Sequence, residues 1–139
     1  ELNHRLVLEA KRQLFPVIYG DAANEEILKK AGIHKAQALV VTFADPTGMA
    51  QIVRVVQVLN PHIFVAVRTR FERDVPWLYE LGADAVVMEE LEASCELNKI
   101  ILEHLGVEHT QLEQYLNRIR QRKELTIEAA IFKRMQKQA

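Results

Sequence analysis

Cysteine is almost missing from this 139-residue chain; Cys95 stands alone. One thiol builds no disulfide framework within a chain, and that suits a reducing cytosol. Metal-ligand spacing is missing too: His4, His34, His62, His104 and His109 are scattered, not paired at the intervals a zinc site requires. No apolar run approaches the roughly 18 residues of a membrane helix; the longest runs, such as Ala38 to Val41 and Ile63 to Val67, have strand length. The opening stretch, Glu1 to Arg12, is polar with a helical pattern and does not read as a signal peptide. The five glycines never cluster, so no Gly-x-Gly-x-x-Gly loop is present. A net charge of −1 lacks the strongly basic balance of a nucleic-acid protein. No internal repeat and no low-complexity segment interrupts the chain.

What is present is a core-forming composition, 49% hydrophobic, on a length that suits one domain. Leu2, Leu6 and Ala10 predict an amphipathic helix over 2–13. Pro16 to Tyr19 reads as a short buried strand that Gly20-Asp21 ends. Asn24 as N-cap, two glutamates behind it and Gly32 at the far end bound a helix over 25–31. A strand follows over 38–42. Asp45-Pro46 is an N-cap with proline at the first helical position. The helix it opens carries Ile52, Val55, Val56 and Leu59 on one face until Asn60-Pro61 stops it. A strand over 63–67 ends at Arg68. Asp74 and Pro76 open a helix carrying Leu78 and Leu81, and Gly82 closes it. A strand over 84–88 leads into a long helix over 90–105: Leu91, Cys95, Asn98, Leu102 and Leu105 mark one face, and Leu97, Ile100 and Ile101 make it apolar on a second side. Cys95 reads as a small core residue, and Glu89-Glu90 as charges favouring the helix start rather than a metal site.

Short strands that are apolar on both faces and alternate with helices imply an α/β fold. Its sheet is parallel and Rossmann-like, with helices covering both faces. Beyond Gly106 the pattern becomes purely helical. Leu112, Tyr115, Leu116 and Ile119 form a stripe, Arg118, Arg120, Arg122 and Lys123 a basic flank, and Ile127, Ile131 and Met135 either extend the helix or form another. The expected division is therefore 1–107 as the α/β part and 108–139 as a C-terminal helical extension.

Several ordered segments between Val17 and Val107 resemble the second half of the RCK, or TrkA-N, domain, which regulates potassium channels and potassium uptake and efflux systems. They are Val17-Ile18-Tyr19-Gly20-Asp21-Ala22, Leu28 to Ile33, Ala36 to Thr42, Asn60-Pro61-His62-Ile63, Val65 to Arg68 and Leu81 to Val87. Their order is most similar to the cytosolic tails of Kef-type potassium-efflux or cation:proton antiporters, including the helix that ends in Leu105-Gly106-Val107. The resemblance implies a cytoplasmic regulatory module at the inner face of the membrane. It would gate a transporter carried on the same or another chain, and would act as a dimer or higher oligomer through residues 90–105. It implies NAD(H), AMP or ATP as ligand, no metal and no catalysis.

In that family the strand ending in Gly-Asp-Ala lies beside the adenine. Gly20, Asp21 and Ala22 stand there in this chain. The Asp21 carboxylate can accept from an adenine amino group. Thr42, Phe43 and Ala44 end the next strand, and Arg68 the third, on the edge where open α/β sheets bind ligands; a guanidinium there can meet a phosphate or a carboxylate. Each position also has a purely structural reading. Gly20-Asp21 can be a turn and helix entry, Thr42 can merely close its strand, and Arg68 can be an ion-pair partner. The departure from the family is the absent glycine loop and ribose-binding acid, as if the N-terminal part were missing. Without them, weak binding or an adenine-side contact alone is expected. Two further classes stay open: a structural oligomerisation domain without ligand, and a fragment of an NAD-dependent Rossmann enzyme, for which no hydride site is visible.

Overall fold

The computed structural model describes residues 1–43 and 45–138, with the backbone alone for 124–138. The helices begin where the sequence offers a cap. In α1 (His4–Arg12) the Asn3 carboxamide oxygen accepts from the amides of Arg5 and Leu6 at 3.0 and 3.3 Å. For α2 (Glu25–Lys30) Asn24 accepts from Glu26 N at 2.8 Å. Each cap satisfies donors that a helix start otherwise leaves open. Gly32, at φ +80°, then turns the chain into a single 3-10 turn, Ile33–Lys35.

Strand β1 (Ala38–Val41) precedes α3 (Pro46–Leu59), which stops at Asn60. The Asn60 side chain donates to Ile33 O at 3.0 Å and Ala36 O at 2.9 Å, so the residue that ends α3 also ties it to the 3-10 turn. Then come β2 (Phe64–Thr69), α4 (Val75–Leu81), β3 (Ala85–Met88), α5 (Glu89–His104) and α6 (His109–Gln138). The sheet has the order β1-β2-β3. β1 and β2 run parallel, with Ala38 opposite Phe64 and Val41 opposite Val67. Ahead of β3, Asp84 acts as one more ladder residue: its amide donates to Val65 O at 2.8 Å and its carboxylate accepts from Val65 N at 2.7 Å. This is the Rossmann-like parallel sheet with flanking helices that the alternation implies.

Three expectations change. Residues 16–19 form no strand: Pro16 has no N–H to offer, and the hydrogen bonds to this stretch and Gly20 run to Glu1, from its backbone nitrogen to Ile18 O at 3.1 Å and from Gly20 N to Glu1 O at 3.1 Å. Apolar composition supplied strand character without a ladder partner. Within the first unit, the described residues do not cover both faces of β1 and β2 either. Val41, Val65, Val67 and Thr69 are buried, whereas Val40 and Phe64, on the opposite face, are 65% and 50% exposed. Finally, β2 runs on through Arg68 to Thr69. The backbone of 109–138 is one helix; the side chains of Ile127, Ile131 and Met135 lie outside the described residues, as does Ala44.

The chain divides into two compact units, residues 1–67 with 81–85, and residues 68–80 with 86 onward. In the first, Ile52, Val53 and Val56 of α3 and Val65 and Val67 of β2 are fully buried. In the second, α5 and α6 pack around Cys95, Leu112 and Leu116, with Leu91, Leu102, Val107 and Ile119 against them. A bidentate pair clamps the same two helices: Arg120 Nε and Nη2 reach the Glu92 oxygens at 3.1 and 2.9 Å. The guanidinium holds the Glu92 carboxyl below its ordinary range and is itself raised by that bond, while burial pushes the Cys95 thiol up. The other side of α5 is open: Leu97, Ile100 and Ile101 are exposed, and so is Leu105 beyond the helix end, which the spacing assigns to the Cys95 face. Among the described residues no helix is long and apolar enough to cross a membrane.

Candidate functional site

A cleft of about 540 Å³ opens in the first unit, within the size range of small-molecule sites. Its walls come from the turn at residues 20–23, from Phe43 just beyond β1, and from Asp45 with the first turn of α3. It therefore sits beyond the carboxyl end of β1, where parallel sheets place ligands.

The turn is shaped by two residues. Gly20 has φ +154°, and a Cβ there would come within 2.5 Å of Ile27 Cδ1, so space and conformation both require glycine. Asp21 Oδ1 accepts from Ala23 N at 2.8 Å, and Asp21 O accepts from Asn24 N at 3.0 Å. Together these fold the side chain back over its own backbone. Among the described residues no donor reaches Asp21 Oδ2, which is left as an acceptor. Gln51 of α3 donates to Ala23 O at 3.4 Å and joins the turn to the helix.

At the start of α3, Asp45 Oδ1 accepts from Thr47 N at 3.3 Å and Oδ2 from Gly48 N at 2.7 Å. Pro46 has no N–H, and Met49 N donates to Asp45 O at 3.0 Å. The amides of Thr47, Gly48 and Met49 are thus all held by Asp45. Gly48 is small because Asp45 leans over it: a Cβ would lie 2.6 Å from Asp45 Oδ2 and 3.4 Å from Phe43 Cε2. Glu1, Asp21 and Asp45 are the acidic residues of the lining, and the described lining residues include no lysine, arginine or histidine.

Of the residues singled out from the sequence, Gly20, Asp21, Ala22 and Phe43 meet in this cleft. Thr42 is exposed at the end of β1 and is not part of the wall, and Ala44 lies outside the described residues. Arg68 belongs to the second unit, where its Nε sits 2.9 Å from Glu89 Oε1, with Arg70 Nε 3.7 Å from Oε2. Asp45, Thr47, Gly48 and Gln51 line the cleft without having been singled out as site residues. The signal for them was present: a helix start that directly follows a parallel strand lies on the binding edge, so its cap is a wall residue as well as a stop.

Residues 1–89 match the model of the TrkA-N domain. The putative K(+) efflux antiporter KefB of Alkalimonas amylolytica is 32% identical over 114 residues, covering 82% of this chain and 17% of that protein. The chain thus spans under a fifth of that relative. The TrkA-N domain of the inner membrane protein ybaL from Escherichia coli superposes with a TM-score of 0.66 at 29% identity, over 72% of this chain and 74% of that one. The Kef CTD of Shewanella denitrificans, solved in an AMP-bound form, superposes with a TM-score of 0.72 at 25% identity, over 85% of this chain and 74% of that one.

Proposed function

This chain belongs to the TrkA-N domain family, and from that premise we propose that it is a cytosolic regulatory segment of a potassium-efflux or cation:proton antiport system, sensing an adenine nucleotide in the cleft. The observation that carries the reading is the meeting of Gly20, Asp21, Ala22 and Phe43 in one ligand-sized cleft beyond β1. A bare glycine lets a flat ring approach the backbone, the spare Asp21 oxygen accepts from an exocyclic amine, and Phe43 offers an aromatic surface that is 41% exposed. The adenine end of AMP, ATP or NAD(H) fits these residues.

No chemistry is required of the chain. A ligand that binds one arrangement of a dimer better than another shifts the population toward it, and a coupled transporter reads the shift. The dimer or higher oligomer would form through residues 90–105, whose Leu97, Ile100, Ile101 and Leu105 are exposed as an apolar stripe. The division into 1–107 and a helical extension over 108–139 belongs to the same proposal, as does a place at the inner face of the membrane.

Calorimetric titration with AMP, ATP, NAD and NADH tests the reading, with sedimentation run in parallel. Weak saturable binding that changes the oligomeric distribution is expected. If none of the four binds while the chain still self-associates through α5, the ligand sensor gives way to the second reading, a structural oligomerisation domain, which the same exposed stripe favours. Ile101→Glu should abolish that assembly in either case.

A further inference from the structure

Helix α1 ends in a Schellman turn: Phe15 N donates to Ala10 O at 2.9 Å and Leu14 N to Lys11 O at 3.1 Å. Such a turn needs a left-handed residue, ordinarily glycine. Here the position is held by Leu14 at φ +61°, and among the described residues no other non-glycine residue has a positive φ. A leucine is strained there, and burial does not offset the strain. Leu14 is 91% exposed, and Phe15 beside it 61%. Neither backbone preference nor packing within the chain accounts for this apolar tip. Its surroundings are cationic. Leu8 is 43% exposed, and its neighbours three and four residues away on the helix are His4, Arg5, Lys11 and Arg12. Arg5, Lys11 and Arg12 are exposed and make no ion pair among the described residues. The one carboxylate of the helix is Glu9.

We propose that this face of α1, with the Leu14–Phe15 tip, docks on an anionic lipid surface. The charge complementarity is direct. Unpaired cations around Leu8 and in the last helical turn meet lipid phosphates, while Leu14 and Phe15 enter the boundary between headgroups and acyl chains. A protruding tip offers no concave surface to a folded partner, whereas fluid hydrocarbon accepts a side chain without a complementary shape. The strain at Leu14 then has a return, because the left-handed turn holds a large apolar side chain out from the helix end, next to Lys11 and Arg12. The proposal does not depend on what the cleft binds.

Co-sedimentation of the full chain with vesicles tests it. Vesicles of equal parts phosphatidylcholine and phosphatidylglycerol should take up the chain, pure phosphatidylcholine vesicles should not, and salt should weaken the uptake. Lys11→Gln and Arg12→Gln should each lower the partition coefficient about fivefold at low salt. Leu14→Gly is the decisive variant. It relieves the left-handed strain, so the melting temperature should rise by about 3 °C. Vesicle binding should nevertheless fall about tenfold, because the inserted side chain is gone. A side chain serving the fold alone would not drive the two readouts apart. Phe15→Ser should weaken binding in the same direction. Equal uptake by neutral vesicles, no uptake by anionic ones, or unchanged partition of the Leu14 and Lys11 variants overturns the proposal. So does binding to soluble polyglutamate that matches vesicle binding and ignores Leu14→Gly, which would assign the cations to an acidic protein partner.

Discussion

Charge is handled in opposite ways by the cleft and by the α5–α6 pair. Between the two helices the Glu92 charge has a partner. Arg120 grips Glu92 with two bonds over a core of Cys95, Leu112 and Leu116, and elsewhere in that unit Lys123 meets Glu72 at 2.7 Å. In the cleft the carboxylates answer only to backbone amides, and Asp21 keeps an oxygen unused. Paired charge over an apolar core holds an element together. Unpaired charge at a concave surface leaves acceptor capacity for something from outside.

The sharpest way to break the contrast is to hollow out the helical core. Leu112 is fully buried, so Leu112→Ala should cost about 3 kcal/mol in denaturant unfolding. A loss under about 1 kcal/mol would mean that the α5–α6 contact is not a true core. Gly20→Ala comes next. The left-handed φ and the collision with Ile27 should lower stability by about 2 kcal/mol in the same assay, whereas Gly106→Ala, whose added Cβ meets nothing within 4 Å, keeps only the φ +80° strain and costs less.

Asp21→Ala removes the spare acceptor and the turn bond together. Adenine-ligand affinity should drop about tenfold by calorimetry, and an unchanged affinity would separate the turn from ligand recognition. The smallest effect belongs to the ion pair. The hydrogen bond from Arg120 holds the folded-state pKa of Glu92 below its unfolded value. Its contribution is therefore present above the unfolded value and is lost as pH falls through the folded one. Both partners are partly exposed, so the term is about 0.5 kcal/mol. Thermal melts of Glu92→Gln should lose that much at neutral pH and match the parent in acid; an equal deficit at both pH values would exclude the charge as the cause.

Much of the fold was legible because its signals are local. Asn24, Asp45-Pro46, Asn60 and Gly82 bound their helices within a residue or two of where the side chains suggested, since capping is settled inside one turn. On the Cys95 face of α5, Leu91, Cys95 and Leu102 pack inward as their spacing suggests, whereas Asn98 and Leu105 are exposed. The stretch at 16–19 misled because four apolar residues carry strand propensity but cannot report whether a neighbouring strand exists. Among the cleft residues, the turn and the resemblance single out Asp21, while the local pattern marks Asp45 as a helix cap alone.

The sequence by itself determined where helices start and stop, which face of each is apolar, and that strands and helices alternate, because these are decided by dihedral preference and by hydrogen bonds between near neighbours. Only the tertiary structure decided that Asp45 shares a wall with Asp21, that Arg68 faces Glu89, and that Val40 and Phe64 stay exposed while Val65 and Val67 do not. Those outcomes depend on which distant segments meet, and chain closure over such separations is governed by packing against the rest of the fold, which no local pattern records.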